Sequence, residues 1–75
     1  MDRKALRWRS RRGMKELDVL LERYFARRYD AASDDERAEF ERLLAHEDPE
    51  IWLWLMGQAS APAEFTHVLD ALRSA

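Results

Sequence analysis

Helix-breaking residues are scarce in this chain, and their scarcity restricts the fold more than any other feature. The 75 residues include only two glycines and two prolines. The β-branched residues that favour strands are also few, namely Val19, Ile51, Thr66 and Val68. This composition predicts an all-α fold with short connections. A chain of this length forms one domain, so we expect a small helical bundle across residues 1–75.

The first two predicted helices meet at a glycine. The first covers about residues 2–10, with Leu6 and Trp8 as its apolar residues, and Gly13 ends it. The second covers about residues 14–29, where apolar side chains recur at helical spacing and predict one buried face. The members of that face are Met14, Leu17, Leu20, Leu21, Tyr24 and Phe25.

Capping signals bound three further helices and bring the predicted bundle to five. Ser33 and Glu36 form a capping box, in which Glu36 is expected to reach back to the Ser33 amide. Asp48 as N-cap and Pro49 as first residue predict a fourth helix that ends at Gly57. The last helix is expected to begin near Pro62. The predicted buried residues of the third and fifth helices are Phe40, Leu43, Leu44, Phe65, Val68, Leu69 and Leu72.

Apolar side chains must supply the stability of this chain, because it has no cysteine for disulfides or thiolate metal sites. The stabilising residues are expected to include Trp8, Trp52, Trp54, Phe25, Phe40 and Phe65. The stretch from Ile51 to Met56 is apolar nearly all round, which favours a buried helix over exposure of a tryptophan as a contact anchor.

A basic arm precedes an acidic body. Residues 1–12, which we call the basic arm, hold six bases and one acid and carry a net charge of +5. The whole chain carries −2, so the remainder carries −7. This asymmetry predicts steering toward a partner with an acidic patch, although a solvated helix face explains the charge equally well. The acidic body argues against nucleic-acid binding.

Several function classes are not supported. No apolar run approaches the length of a membrane helix, and no secretory signal precedes the domain, so we expect a cytoplasmic protein without membrane insertion. His46 and His67 stand alone, so no metal site is predicted. The serines lack a nucleophile elbow, and the two glycines are too far apart for a phosphate loop. We therefore expect a protein that is not an enzyme.

The junction between the first two helices combines its glycine with opposite charges. In one interpretation Gly13 only joins the helices, Glu16 caps the second by reaching back toward the Gly13 amide, and Arg12 is solvated. In the other, Gly13 exposes backbone at a tight corner where a partner approaches, flanked by Arg12 and Glu16 as donor and acceptor. The physical arguments alone leave both open.

A series of motifs resembles one known family. Arg12-Gly13-x-x-Glu16-Leu17-Asp18 resembles the RGxxE signature of the SdhE family, the flavinylation factors of succinate dehydrogenase, called succinate dehydrogenase assembly factor 2 in eukaryotes. Ala32 and Glu47 depart from the family pattern, but neither lies in the signature. The other matching residues are Trp8; Tyr29-Asp30 with Ser33-Asp34-Asp35-Glu36, similar to "YDxLSDDE"; and Leu43-Leu44, Asp48-Pro49 and Trp54-Leu55-Met56, similar to "LL…DDPDLxxWLM".

The resemblance implies a five-helix bundle that binds the flavoprotein subunit of succinate dehydrogenase, and in bacteria also that of fumarate reductase. Such factors promote covalent attachment of FAD to a histidine of the subunit, so FAD is the client's cofactor and is not held stably by the factor. A monomer suits one-to-one docking. The contact residues implied are Arg12, Gly13 and Glu16, with Arg11, Asp18 and Trp8 beside them.

A different class of function remains as the alternative. The chain would then be a general helical interaction module, or an antitoxin-like regulator, acting on a membrane or cytoskeletal partner. Some bacterial relatives have been described as the antitoxin half of a toxin–antitoxin pair. Loss of covalent flavin from the dehydrogenase subunit in a deletion strain would separate the two functions.

Overall fold

The residues that the structure describes form five α-helices, as the sequence predicts. The computed structural model describes residues 3–10 and 13–74, apart from the side chains of Arg3 and Arg7. These residues contain no strand, so the all-α prediction is confirmed. The helices are α1 (Arg3–Arg9), α2 (Lys15–Arg27), α3 (Asp34–Leu43), α4 (Asp48–Leu55) and α5 (Thr66–Ser74), with a 3-10 turn at Ala63–Phe65 before α5.

Helix α5 is the centre of the bundle, because it packs against α2, α3 and α4. Every apolar residue predicted to be buried on α3 and α5 is buried, and Met14 and Leu20 of α2 lie at the edge of the core. Trp54 is buried as expected, whereas Trp52 packs against the core only in part. The fully buried side chains include Leu6, Leu17, Leu21, Tyr24, Phe40, Leu43, Ile51, Val68 and Leu72.

The start of α3 confirms half of the predicted capping box. The Ser33 hydroxyl accepts a hydrogen bond from the Glu36 amide at 3.1 Å. The Glu36 carboxylate does not return to the Ser33 amide, and this part of the prediction was wrong. It accepts a hydrogen bond of 2.8 Å from the hydroxyl of the buried Tyr24 and so satisfies that polar group. Burial and this carboxylate together raise the pKa of Tyr24.

Helix α4 begins one residue earlier than predicted. Glu47, rather than Asp48, is the N-cap, and its side chain makes no capping hydrogen bond. The helix ends as predicted at Gly57, which has φ +70°. The Gly57 amide donates to the Trp54 carbonyl at 3.2 Å and the Gln58 amide to the Leu53 carbonyl at 2.9 Å, the paired bonds of a Schellman motif.

Arg73 fastens this end of α4 to α5. Its guanidinium donates to the carbonyl of Trp54 at 2.8 Å and to that of Leu55 at 3.0 Å. A third bond, 3.0 Å, goes to Asp70 one turn earlier on α5. The last carbonyls of a helix lack partners within the helix, so a cation here satisfies them and suits the helix dipole.

A buried carboxylate ties α3 to the start of α5. Glu39 is only 7% exposed, and it accepts a hydrogen bond of 3.3 Å from the Val68 amide in the first turn of α5. The Nδ1 atom of His67 lies 3.2 Å from the other carboxylate oxygen of Glu39. This contact spans residues far apart in the chain, and sequence analysis did not identify it.

None of the helices in the described ranges is long and apolar enough to cross a membrane.

Candidate protein-interaction site

Gly13 forms a sharp, exposed corner between α1 and α2. Its φ of +90° lies in the region that side-chain-bearing residues avoid, so a glycine is needed here. A Cβ atom built on Gly13 would meet no atom within 4 Å, which means that open space lies beside this backbone. The corner therefore offers main chain that another molecule can approach closely.

A carboxylate from the first turn of α2 holds the corner. The Gly13 amide donates a hydrogen bond of 3.1 Å to Oδ2 of Asp18. The N-cap of α2 is Met14, in extended conformation, and no side chain caps the helix at that position. The Asp18 amide also donates to the Met14 carbonyl at 2.8 Å. Backbone and side chain of Asp18 thus secure both residues that precede the helix.

The capping role predicted for Glu16 was wrong. Helix α2 begins at Lys15, one residue later than the prediction placed it, so Glu16 falls at the second helical position. Asp18 rather than Glu16 receives the Gly13 amide. Among the residues that the structure describes, none forms a hydrogen bond or ion pair with the exposed Glu16 side chain. Its carboxylate faces solvent one helical turn from the corner.

Trp8 lies on the outer side of α1, and the expectation that it stabilises the fold was wrong. Its side chain is 75% exposed, whereas Leu6 is fully buried. Residues two apart on a helix are separated by about 200°, so the burial of Leu6 directs Trp8 away from the core. The buried Ser10 hydroxyl donates to the Leu6 carbonyl at 3.0 Å and ends this helix. Tryptophan is enriched among the residues that contribute most to protein interfaces, so the exposed Trp8 is compatible with the predicted contact role.

Arg11 and Arg12 lie outside the described residues, so the structure adds nothing to the prediction that they contact a partner. Among the other predicted contact residues, Gly13 and Asp18 are joined directly, and Glu16 is exposed on the same first turn. Val19, which sequence analysis did not single out, is 46% exposed one turn after Glu16. Helical spacing could have revealed it, because residues three apart share a face.

The described residues hold no competing catalytic or metal centre. His46 lies 2.7 Å from a Glu50 carboxylate oxygen, and its ring lies edge-on to those of Trp54 and Phe65 at 5.0 and 5.4 Å. No group of three or more metal-ligating side chains occurs in the part of the chain described. His46 and Glu50 line an open cleft of about 600 Å³ beside α4, in which Leu53 is 40% exposed. No nucleophile faces this histidine there, so the cleft lacks a catalytic set.

Comparison with known proteins identifies the family of this chain. The family described as "Flavinator of succinate dehydrogenase" matches residues 4–75. A protein of Xylella fastidiosa (strain 9a5c) named FAD assembly factor SdhE is 47% identical over 70 residues, covering 92% of this chain and 72% of that protein. Its namesake in Legionella pneumophila (strain Paris) is 34% identical over 73 residues, covering 97% and 92%. No solved structure matches the chain.

The family match covers both helices that form the corner and all three that support them. The Xylella and Legionella relatives match over most of the chain as well. The resemblance inferred from the RGxxE corner and the motifs that follow it is therefore confirmed. This chain belongs to the family of flavinators of succinate dehydrogenase.

Proposed function

We propose that this protein is an assembly factor that binds the flavoprotein subunit of succinate dehydrogenase and promotes covalent attachment of FAD to it. Its membership of the flavinator family and its relatives named FAD assembly factor support this function. The observation that carries the proposal is the Gly13 corner, which is exposed, held by Asp18 and flanked by the Glu16 carboxylate, to which no described residue bonds.

The proposed contact surface is centred on this corner. Gly13 lets the backbone approach the subunit, because no atom occupies the space beside its Cα. Glu16 offers a carboxylate acceptor, and Trp8 offers a large exposed apolar face. The resemblance to the family assigns the matching donor to Arg12, with Arg11 beside it. Asp18 supports this surface, because its carboxylate accepts the hydrogen bond of the Gly13 amide.

The proposed role of the factor is conformational and not catalytic. Attachment joins a histidine nitrogen of the subunit to the flavin methyl carbon, and one N–H bond and one methyl C–H bond break. The flavin is the oxidant in this step, because it takes up the two electrons and two protons released and becomes reduced flavin. No catalytic group of this chain is needed for that balance. The factor binds the subunit arrangement in which the histidine lies close to the methyl carbon and so raises its population. FAD remains the client's cofactor throughout.

We also propose that the factor acts as a monomer, one per subunit, and leaves when attachment is complete. Fumarate reductase is the second client that we expect, because its flavoprotein subunit presents the same chemistry. Binding to both clients would use the same corner. Purified factor mixed with each subunit tests this expectation directly, because a one-to-one complex is distinguishable from larger assemblies by mass.

The central experiment removes the exposed carboxylate. Glu16→Ala is expected to leave the fold intact and to reduce covalent flavin on the subunit, measured by in-gel flavin fluorescence. Arg12→Ala is expected to do the same. Glu47→Ala is the matched control, since Glu47 is also exposed at a helix start and makes no capping bond. Normal flavinylation with Glu16→Ala, or loss of fluorescence only through unfolding, would contradict the proposed role.

A deletion strain tests the function against its alternative. We expect the dehydrogenase subunit of that strain to lack covalent flavin, and expression of the intact chain to restore it. Undiminished fluorescence would favour an interaction module or antitoxin-like regulator with another partner. No feature of the described residues specifically favours that alternative.

A further inference from the structure

We infer that Asp18 is a positioning residue, which sets the shape of the Gly13 corner and influences client binding without touching the client. The inference rests on the proposed function, and it gives the two neighbouring acids Glu16 and Asp18 different roles. Glu16 would contact the flavoprotein subunit, whereas Asp18 would hold the backbone that the subunit contacts. Family resemblance alone does not distinguish these roles, because both acids lie in the same motif.

The hydrogen-bonding needs of a helix start explain why Asp18 is required. The amides before and within the first turn of a helix have no acceptor inside the helix, so an outside group must satisfy them. Met14 occupies the N-cap, where serine or aspartate would normally accept such a bond, and its side chain makes none. The Asp18 carboxylate supplies an acceptor 3.1 Å from the Gly13 amide. It also suits the positive end of α2.

The two acids differ in exposure and in partners. Asp18 is half-buried, with Oδ2 engaged by the Gly13 amide, whereas Glu16 is exposed and forms no bond with any described residue. A client donor that displaced the Gly13 amide from Oδ2 of Asp18 would release the backbone of the corner. Release would free the corner at the moment when its conformation matters. The geometry therefore assigns contact to Glu16 and support to Asp18.

The support matters because glycine selects no single conformation. Without its carboxylate partner, Gly13 would populate negative as well as positive φ, and only part of the population would present the corner found at φ +90°. The apparent dissociation constant for a client rises in inverse proportion to the competent fraction. We expect an increase of about three- to tenfold for an exposed hydrogen bond of this kind.

The first test needs no variant. Hydrogen exchange of backbone amides in the wild-type protein, followed by NMR, should show the Gly13 amide protected relative to an exposed amide without a partner. Protection should persist in the complex with the flavoprotein subunit. A Gly13 amide that exchanges freely in the unbound protein would overturn the inference, as would one that loses protection on binding.

The second test compares two substitutions of Asp18. Asp18→Asn keeps an oxygen acceptor, whereas Asp18→Ala removes it, so only the alanine variant should lose Gly13 protection and bind the subunit about three- to tenfold more weakly. Rescue by asparagine is the signature of positioning. If both variants bind equally weakly and the Gly13 amide is still protected in the asparagine variant, then the carboxylate charge itself contacts the client. That result would overturn the inference. Unchanged binding by the alanine variant would also overturn the inference.

The same measurements separate this inference from the proposed function. If wild-type protein binds neither flavoprotein subunit, the proposed function fails while the exchange data still test the hydrogen bond. If Glu16→Ala weakens binding and Asp18→Ala does not, the function stands and the positioning role falls. Thermal unfolding of each variant shows whether loss of binding reflects loss of the fold.

Discussion

Two glycine turns in this small bundle share a positive φ and open space beside the glycine, and they differ in the hydrogen bonds that hold them. Gly13 and Gly57 have φ of +90° and +70°, and a Cβ atom on either would meet nothing within 4 Å. Gly57 ends a helix in a Schellman motif that Arg73 reinforces from α5. Gly13 precedes a helix, and the Asp18 carboxylate is the partner of its amide.

In the proposed function, one residue type thus serves stability at Gly57 and recognition at Gly13. At Gly57 the neighbouring carbonyls accept hydrogen bonds from the Gly57 and Gln58 amides and from the Arg73 guanidinium. These bonds hold the turn against α5. Beside Gly13 an exposed acid, Glu16, lies one turn away, and Trp8 of the preceding helix is largely in water. In the proposed function these exposed side chains, and not the positive φ that both turns share, distinguish the Gly13 corner.

The strongest test of this contrast places bulk at each turn. Gly13→Arg should weaken binding of the flavoprotein subunit by about thirtyfold or more, the size of a hot-spot loss, because the side chain occupies the space that the subunit approaches. Gly57→Arg should bind like wild type. Pull-down and titration with the purified subunit measure both. Equal losses would show that Gly57 also contacts the client and would end the contrast.

The next test removes the guanidinium that reinforces the Gly57 turn. Arg73→Ala should lower the free energy of unfolding by about 1.5–3 kcal/mol, since charged hydrogen bonds to two carbonyls and Asp70 are lost. Arg73→Lys keeps the charge and should recover part of the loss. Urea denaturation measures the free energy, and subunit binding should be unchanged for folded protein. A variant as stable as wild type would show that the Schellman bonds suffice.

Substituting alanine for each glycine tests the backbone strain of a positive φ, without a new side-chain contact. Neither Cβ meets an atom within 4 Å, so Gly57→Ala and Gly13→Ala should each lose about 1–2 kcal/mol through the unfavourable φ alone. In a domain of this size that corresponds to a fall of about 4–16 °C in Tm. Calorimetry should show a smaller loss at Gly13 if the single Asp18 bond lets that corner relax. A larger loss at Gly13 would mean that the corner is the more rigid turn.

The smallest expected effect concerns charge. The Gly13 corner follows the basic arm, whereas Gly57 follows a helix that begins with Asp48 and Glu50. Raising ionic strength from about 0.05 to 0.5 M should slow association with the subunit a few-fold if the arm steers docking. Lys4→Ala should reduce this salt dependence. Arg27→Ala, an exposed base about 18 Å along α2, is the control, and a salt-independent rate would leave the arm as a solvated face.

Sequence reasoning predicted what depends on local chemistry. The Ser33 cap, the Gly57 turn and the helical spacing of Leu17, Leu21 and Tyr24 follow from the nature of neighbouring residues, and the structure confirms all of them. The five-helix architecture follows from the same signals. The match of the RGxxE corner to its family was equally local, because the motif lies within seven consecutive residues, 12–18.

Errors arose where one residue of register or a distant contact decides the outcome. The starts of α2 and α4 were misplaced by a single position, and at α2 the shift transferred the capping role from Glu16 to Asp18. The last helix was predicted to begin near Pro62, but a 3-10 turn follows Pro62 and α5 begins only at Thr66. The Glu36 carboxylate accepts a hydrogen bond from Tyr24 and not from the start of its own helix. Glu39 is buried where it accepts a hydrogen bond from α5. Such contacts depend on how the helices pack, which periodicity within one helix does not reveal.

The different solvent environments of Trp8, Trp52 and Trp54 have a spectroscopic consequence. Trp54 is only 7% exposed and should fluoresce at short wavelength, whereas Trp8 at 75% exposure should contribute the red edge of the emission spectrum. Docking at the corner would transfer that one indole from water to an apolar environment and shift its emission toward the blue. The chain thus carries its own optical reporter of client binding, and Trp8→Phe would silence the reporter while sparing the buried indole.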